Sequence, residues 1–579
     1  VAALHFLVLQ GYPLTCDEFS YLFQADILAS GRLYAPSPPF PDHFIFDGIV
    51  SNGKWFSKYS IGWPLLLAMG KLVRLEGLVG PLCAGLSAML LLLISSRIYG
   101  PRAGIAAAVI ALASPMFTLL GASYFPHTSF GLMVLAFIYA LLRLQKEEGE
   151  AKWAVLGGCA LFLAQNIRLS DGAALAAGYF AYLGYVFFPG GDRKRLIRPA
   201  LLMLPFLLAG WGLVLMVNYV QTGSALVPGY LAYNPRELLG HESIPYTVFH
   251  GLWNFAFALM RLGFWVFPFL GLLGLLGLKS KNPVVLLLAA LLLLFQAGVS
   301  AFFGLGSAGF GSRFYYVHYL ILVILASGGL VHGASFLSRR KLVNGRAFAF
   351  VLLLFSSIYM ALGVYRAQVP LISSHYSLSR RQEQRLVPPA PSASKSIVFI
   401  RTSPGVAMAH TANNWRYREE KCLKALFLDP AENRRLVDAL ADREPFVADW
   451  DFAGKRFVVR PYPPGEPDSW DYYSAGLNYG ALLHPMFREK SEKALQMAAR
   501  MAPGDPSALY GMGLHYFRDG NFEKAAEIFR ELIEKAPRRE DAYHYLAGSL
   551  QQAGKSGESE KYRAMLRKRF PSSPYCGDQ

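Results

Sequence analysis

Charge is what this 579-residue sequence has least of: Asp, Glu, Lys and Arg together make up 16% of it, where soluble chains carry about 25%. Hydrophobic residues reach 54%, which excludes an ordinary soluble domain and points to a membrane protein. Cysteine is scarce as well. The five (Cys16, Cys83, Cys159, Cys422 and Cys576) show neither a CxxC pair nor a Cys/His spacing, which argues against a structural zinc site. Cys422 and Cys576 remain a candidate pair for an oxidising compartment. No groove-reading module or basic-aromatic surface accompanies the formal charge of +17, so nucleic acid is not an expected partner. The Gly-rich run GLGSAGFGS at 304–312 lacks a preceding strand and a GK[ST] ending, which excludes a nucleotide loop. It reads as a flexible loop near the active face. A cleavable signal peptide is missing too: VAALHFLVLQ is about ten apolar residues, half of the roughly twenty a span needs, and reads as the remainder of a first membrane helix.

What the chain does have is apolar length. Segments able to span recur at 78–96, 103–122, 128–144, 152–168, 173–188, 199–219, 251–277, 283–303, 314–336 and 347–366; with the truncated first one they make eleven. Lys and Arg sort unequally between them. One set of alternate loops (Arg97 and Arg102; Arg143, Lys146 and Lys152; Arg193, Lys194, Arg195 and Arg198; Lys279 and Lys281; Arg339, Arg340, Lys341 and Arg346) holds fifteen. The opposite short loops hold three: Arg168, Arg236 and Arg313. By the positive-inside rule, the first long loop, the 220–250 loop and everything after residue 367 lie outside the cytoplasm. The apolar segment 60–76 is short and contains Pro64, Lys71 and Arg74. Counting it as a span would invert every later loop, so it is expected to lie at the outer membrane face.

Beyond residue 366 the composition changes. Residues 367–395 form a polar, Pro-rich linker. Residues 396–465 then predict a small α/β module, with strands at 396–402 and 455–462 and an amphipathic helix at 429–443. In 471–573 a period appears: Pro503, Pro537 and Pro571 stand 34 residues apart, as do Gly520 and Gly554. Leu509 matches Tyr543, Gly513 matches Ala547 and Leu495 matches Phe529. A 34-residue helix–turn–helix period with small residues at the crossings resembles tetratricopeptide repeats, and their concave surfaces imply a protein partner.

The candidate site residues gather in the first outer loop. Thr15-Cys16-Asp17-Glu18 carries adjacent acids at the start of a short helix that Gly31 closes. Buried charge is costly at a membrane, so paired acids at its edge are the first place to look for chemistry. Thr15 followed by Glu18 is also a capping-box pattern, which gives Glu18 a structural alternative and leaves Asp17 the freer of the two. Phe19, Leu22, Phe23 and Ile27 line one side of that helix, suited to a membrane surface. Further along, Asp42, His43 and Asp47 are candidate ligands for a divalent metal, with solvated loop residues as the alternative. Lys54 and Lys58 suit a phosphate or lipid headgroups, and Tyr59 adjoins them.

These residues carry a family resemblance. An Asp-Glu pair opening an amphipathic helix after the first span, then YSIGWPLLLA, then many spans, resembles the GT-C class of membrane glycosyltransferases. Within that class it is most similar to the protein O-mannosyltransferases and the aminoarabinose transferases that modify lipid A. SYFPHTSFGLMVLAFIYALLRL at 123–144, NIRLSDGAALAAGYF at 166–180 and GSRFYYVHYLILVILASGGL at 311–330 continue the likeness, which covers residues 1–366. The repeat-bearing tail is absent from those two relatives, so their acceptors do not carry over.

The resemblance implies a polytopic α-helical membrane protein at a bacterial inner membrane, its C-terminal region periplasmic. It implies a donor sugar on a polyprenyl phosphate, which serves as co-substrate, and a catalytic Asp in the first outer loop, here Asp17. In such a reaction the carboxylate takes the acceptor's proton. The lipid phosphate leaves as a stable anion and needs positive charge beside it, for which Arg is best suited. Arg168, Arg313 and Lys58 are expected at the outer face, with His127 a further candidate. Their bland alternatives are an Arg168–Asp171 pair on one helix face and interfacial anchoring of Arg313 beside Phe314, Tyr315 and Tyr316. The reading is an inverting hexosyl- or pentosyltransferase whose partners are membrane lipid, the lipid-linked sugar and a protein held by the repeats. Two other classes stay open: a transporter or flippase of a lipid-linked substrate, which tends to show internal repeats and broken helices, and an assembly factor acting through the repeats, for which eleven spans exceed what an anchor needs.

Overall fold

Thr15 opens the first helix, α1 (Cys16–Ala29), by accepting the Glu18 amide on its hydroxyl at 3.2 Å. Gly31 follows its end at φ +78°, a conformation that costs glycine nothing. The chain then forms an antiparallel hairpin of β1 (Ile49–Ser51) and β2 (Lys54–Ser57). After it come α2 (Gly62–Leu72), α3 (Glu76–Tyr99), α4 (Pro101–Ala113), α5 (Pro115–Ala122), α6 (His127–Leu144), α7 (Glu150–Ile167), α8 (Leu169–Phe187) and α9 (Ile197–Thr222). This computed structural model describes residues 1–46, 48–145, 150–187, 196–233, 268–279, 283–302, 313–367, 369, 389–392, 394–401, 416–451, 456–463, 465–481, 487–571, 573 and 575.

A bilayer offers no partners for backbone groups, so apolar runs fold as helices there. Among the described residues five helices are long and apolar enough to cross: Glu76–Tyr99, His127–Leu144, Ile197–Thr222, Arg313–Arg339 and Gly345–Tyr365. They contain the expected spans 78–96, 128–144, 199–219 and 314–336, and all but the last residue of 347–366. The chain is thus a multi-pass membrane protein by the length and composition of its helices. The expected span 103–122 takes a different form. It is α4 and α5 bent by 63°, which would make a sixth crossing. Ser114 is extended at the break, and Pro115 brings no amide to continue the ladder. The segments 152–168, 173–188 and 283–303 fall on α7, α8 and the helix Pro283–Phe302, with 188 and 303 outside the described residues. Of 251–277, only Leu270–Gly277 lies within a described helix. The 60–76 segment folds as α2, whose eleven residues are too few to cross. The most enclosed of the five is α6, 89% of whose apolar window is buried, against 17% for Gly345–Tyr365. The core therefore surrounds α6, and His127 stands at its first position.

Pro36–Asp47 and Arg381–Gln579 form a second compact unit. Four strands make its sheet, in the order 422–426, 396–400, 444–451, 456–461; the first three are parallel and the last antiparallel. Asp429 caps the helix Pro430–Ala439 by accepting the Ala431 amide. Val398, Ile400, Leu426 and Phe446 of the sheet share one core with Ala475, Tyr479 and Phe487, so the sheet and the helices that follow pack together. Arg488, Phe522 and Ser556 open helices at 34-residue intervals, as Pro506 and Glu540 do. Gly513 leaves room at one crossing: a Cβ there would stand 2.7 Å from the Phe529 ring.

The loop segment 36–47 is tied into this unit by polar contacts. The His43 Nδ1–H donates to the Leu426 carbonyl at 2.9 Å, and burial pushes that imidazole below its ordinary range. Lys490 bridges Asp42 at 3.0 Å and Glu432 at 3.1 Å. Among the described residues no three His, Cys, Asp or Glu side chains gather closely enough to hold a metal ion, and Asp47 lies outside the described residues. Cys16, Cys83, Cys159 and Cys422 form no disulfide with one another; Cys576, and with it the expected pair with Cys422, lies outside the described residues.

Candidate active site

The two acids of the first loop separate as soon as α1 forms. Glu18 is buried to 1% exposure. Its Oε2 accepts the Leu14 amide at 2.8 Å and the Thr15 hydroxyl at 3.2 Å, and its Oε1 accepts the Tyr124 amide at 2.9 Å. The capping box is thus displaced by one residue, onto Leu14, and its spare oxygen ties α1 to the chain between α5 and α6. Three donors occupy Glu18, which ties it into the start of α1 and to Tyr124. Asp17, one residue earlier, keeps a quarter of its side chain exposed.

Two other segments converge on Asp17. Tyr59 donates its hydroxyl to Oδ1 at 2.6 Å, and Arg313 donates Nη2 to Oδ2 at 2.8 Å. Tyr59 is held there through the hairpin: the Ser57 amide donates to Gln24 Oε1 at 2.9 Å, and Gln24 Nε2 donates to the Leu33 carbonyl at 3.0 Å. The GWP motif that follows acts by close packing. Gly62 lets α2 touch the end of α7, where an added Cβ would lie 2.5 Å from the Asn166 carbonyl. Trp63 Nε1–H donates to the Tyr124 carbonyl at 2.6 Å. Tyr124 is therefore held at its amide by Glu18 and at its carbonyl by Trp63. The next residue, Phe125, lies under the Arg313 guanidinium at 4.3 Å.

The remaining cations stand around this junction. Arg168, at the turn between α7 and α8, is ion-paired with Asp171 and donates Nη1 to His127 Nε2 at 3.0 Å. Both guanidinium groups face Phe314, Arg313 at 5.4 Å and Arg168 at 5.7 Å. Lys58 is buried against the rings of Tyr233 at 4.3 Å, Tyr59 at 5.3 Å and Tyr230 at 5.8 Å.

Of the residues proposed from sequence, Asp17, Tyr59 and Arg313 meet directly, and Arg168, His127 and Lys58 surround them. Lys54 goes elsewhere: its ammonium donates to the Val220 carbonyl in the last turn of α9, a helix end that favours a cation. Asp42 and His43 belong to the second unit. Sequence reasoning passed over Phe125, Tyr230 and Tyr233. The i,i+3 spacing of the two tyrosines was the only available signal for that pair, and Phe125 gave none.

No family model matches the chain, and no curated protein matches it. Among solved structures it is similar to ArnT of Cupriavidus metallidurans bound to undecaprenyl phosphate, at 13% identity over 77% of this chain and 91% of that one, with a TM-score of 0.49. It is also similar to the Archaeoglobus fulgidus oligosaccharyltransferase, at 11% identity over 95% and 85%, with a TM-score of 0.47. A structure of the archaeal AglB with an inhibitory peptide and a dolichol-phosphate matches at 12% identity and a TM-score of 0.46, over 83% of this chain and 68% of that one. Likeness at this level leaves the functional reading to the side chains just described.

The environment of Glu18 has a measurable consequence. Burial raises its pKa to about 7, against hydrogen bonds from Tyr124, Leu14 and Thr15 and the nearby Arg313, which pull it down. A folded-state pKa above the unfolded one means the folded protein binds more protons between about pH 4.5 and 7. Its stabilising contribution is full below about pH 4.5 and is lost as pH rises through about 7. Thermal melts in detergent are expected to show wild-type stability falling across that window. In Glu18→Gln this component of the slope should vanish, and an unchanged slope would contradict the assignment.

Proposed function

We propose that the chain is a GT-C-type glycosyltransferase that moves a sugar from a polyprenyl-phosphate donor to an acceptor hydroxyl, with inversion at the anomeric carbon. The observation that carries this reading is the meeting of Asp17 with Tyr59 and Arg313, beside Arg168 and Lys58, in a chain built of membrane-spanning helices. A proton acceptor and a group of cations in one place suit a reaction that deprotonates a hydroxyl while an anion departs.

The acceptor oxygen attacks the anomeric carbon from the face opposite the phosphate, and Asp17 takes its proton. The bond between the anomeric carbon and the phosphate oxygen breaks. Its electron pair leaves with the phosphate, freeing the polyprenyl phosphate as a monoester of increased negative charge. Arg313, Arg168 and Lys58 stabilise that developing charge; the two Arg forks match phosphate oxygens in pairs. The leaving group is a stable anion, so no general acid is required. Tyr59 orients the carboxylate. In this reading the site lies at the outer face of a bacterial inner membrane. The C-terminal region is periplasmic, and its 34-residue helix pairs, as tetratricopeptide-like repeats, hold a protein partner. The transferred unit is a hexose or pentose.

One observation favours a second reading, a transporter of a lipid-linked substrate: the bent α4–α5 pair, since broken helices are common in transporters. A single experiment separates the two. The purified protein in vesicles, given a polyprenyl-phosphate donor with a labelled sugar and a membrane extract, is expected to form a new covalent labelled product of inverted anomeric configuration. Recovery of intact donor on the opposite leaflet, without such a product, would support transport and overturn the transferase.

A further inference from the structure

We propose that Arg313 is a counter-ion shared between the base and the donor: it neutralises Asp17 in the free protein and passes to the lipid phosphate when the donor binds, which releases Asp17 to accept a proton. The inference rests on the transferase reading and adds a compulsory order to it, donor before acceptor.

Three observations lead there. First, a general base whose oxygens are taken by other donors must give one up before it can meet the acceptor hydroxyl. Asp17 is held in this way, by Arg313 at 2.8 Å and by the Tyr59 hydroxyl at 2.6 Å. Second, the three cations of the site are not equivalent. Arg168 is committed to Asp171 and His127, and Lys58 is packed against tyrosine rings. Arg313 is the one whose ion-pair partner is the base itself. Third, the Arg313 fork has unused capacity. Its Nε is buried without a hydrogen-bond partner among the described residues, and the side chain is only 11% exposed. The guanidinium lies against Phe125 and Phe314, flat faces on which it can turn without leaving a cationic environment. A phosphate offers paired oxygens to such a fork, so an arriving donor competes with Asp17 for it.

The arrangement has a functional sense. Without donor, the base is neutralised and does not activate water. With donor, the phosphate draws Arg313 away, and the carboxylate is freed where the acceptor must arrive.

The test uses the full-length protein in nanodiscs and polyprenyl monophosphate without a sugar as the probe. Dissociation constants are measured for wild type, Asp17→Asn, Arg313→Gln and the double variant. Competition predicts that Asp17→Asn, which cannot transfer sugar, binds the lipid phosphate about tenfold more tightly than wild type. It also predicts that this gain disappears in the Arg313→Gln background, as a double-mutant cycle reports for coupled residues. Where Arg313→Gln does not fold, Arg313→Lys replaces it; lacking the fork, it should shrink the gain at least threefold. Equal or weaker binding by Asp17→Asn overturns the proposal and leaves the transferase reading standing. A gain of the same size in both backgrounds also overturns it, since simple repulsion between Asp17 and phosphate then suffices. Failure of wild type and all variants to bind the lipid phosphate would overturn the transferase reading and the proposal together.

Discussion

Asp17→Asn is expected to reduce sugar transfer by about 10²–10⁴-fold, the usual contribution of a positioned general base, while the protein still inserts and folds. Asparagine keeps the size of the side chain and an oxygen able to accept from Tyr59, whose hydroxyl now reaches Oδ1 at 2.6 Å. It cannot take a proton from the acceptor. The N-terminus of α1 should stay in place, because its anchoring belongs to Thr15 and Glu18. A melting midpoint close to wild type, with transfer lost, is the expected pair of results. Transfer at the wild-type rate would remove Asp17 from the chemistry.

The second large effect lies in packing. Gly62→Val is expected to destabilise the membrane unit by ~1–3 kcal/mol, the range for overpacked sites, and to lower transfer at least about tenfold. A Cβ at this position would stand 2.5 Å from the Asn166 carbonyl carbon and oxygen and 2.8 Å from the Ile167 nitrogen. Those are backbone atoms of α7 and cannot rotate aside as a side chain can. The helix α2 must therefore shift, taking Trp63 from the Tyr124 carbonyl on one side and Tyr59 from Asp17 on the other. Arg168 lies two residues beyond Asn166 and would move with it. Thermal melts and transfer assays on the same preparation check both parts, and wild-type values in both would show that the close approach is dispensable.

Much of this was legible from residue type and order, and the exceptions have physical causes. Long apolar runs such as 78–96 and 128–144 read directly as helices because lipid allows little else. Pro115 was visible inside the run 103–122, yet whether a proline bends a span or ends it depends on packing that sequence does not display. The strands 422–426 and 444–451 were missed: CLKALFL is short, and EPFVADWD opens on a charge and a proline, which weakens its alternation. In the site, the chemical types were readable, since acids and arginines at a membrane edge are few. Their pairing was not. Arg313 meets Asp17 across 296 positions, and Phe314, which reads in the sequence only as an interfacial neighbour of Arg313, also faces Arg168. The segment 36–47 is the sharpest case. It looked like part of the catalytic loop, and its Asp42 and His43 looked like metal ligands; contacts with Lys490 and Leu426, more than 380 residues away, assign it to the second unit.

In the proposed reaction the lipid phosphate of the donor sits beside Asp17, between Arg313, Arg168 and Lys58. A polyprenyl monophosphate bearing a photoreactive group on the isoprene unit next to the phosphate tests it most directly. After irradiation of the full-length protein in nanodiscs and mapping by mass spectrometry, adducts are expected on peptides containing Lys58 and Tyr59 or residues 313–316, and unlabelled polyprenyl phosphate should compete them away. Competable adducts confined to other segments, from protein that still transfers sugar, would contradict it.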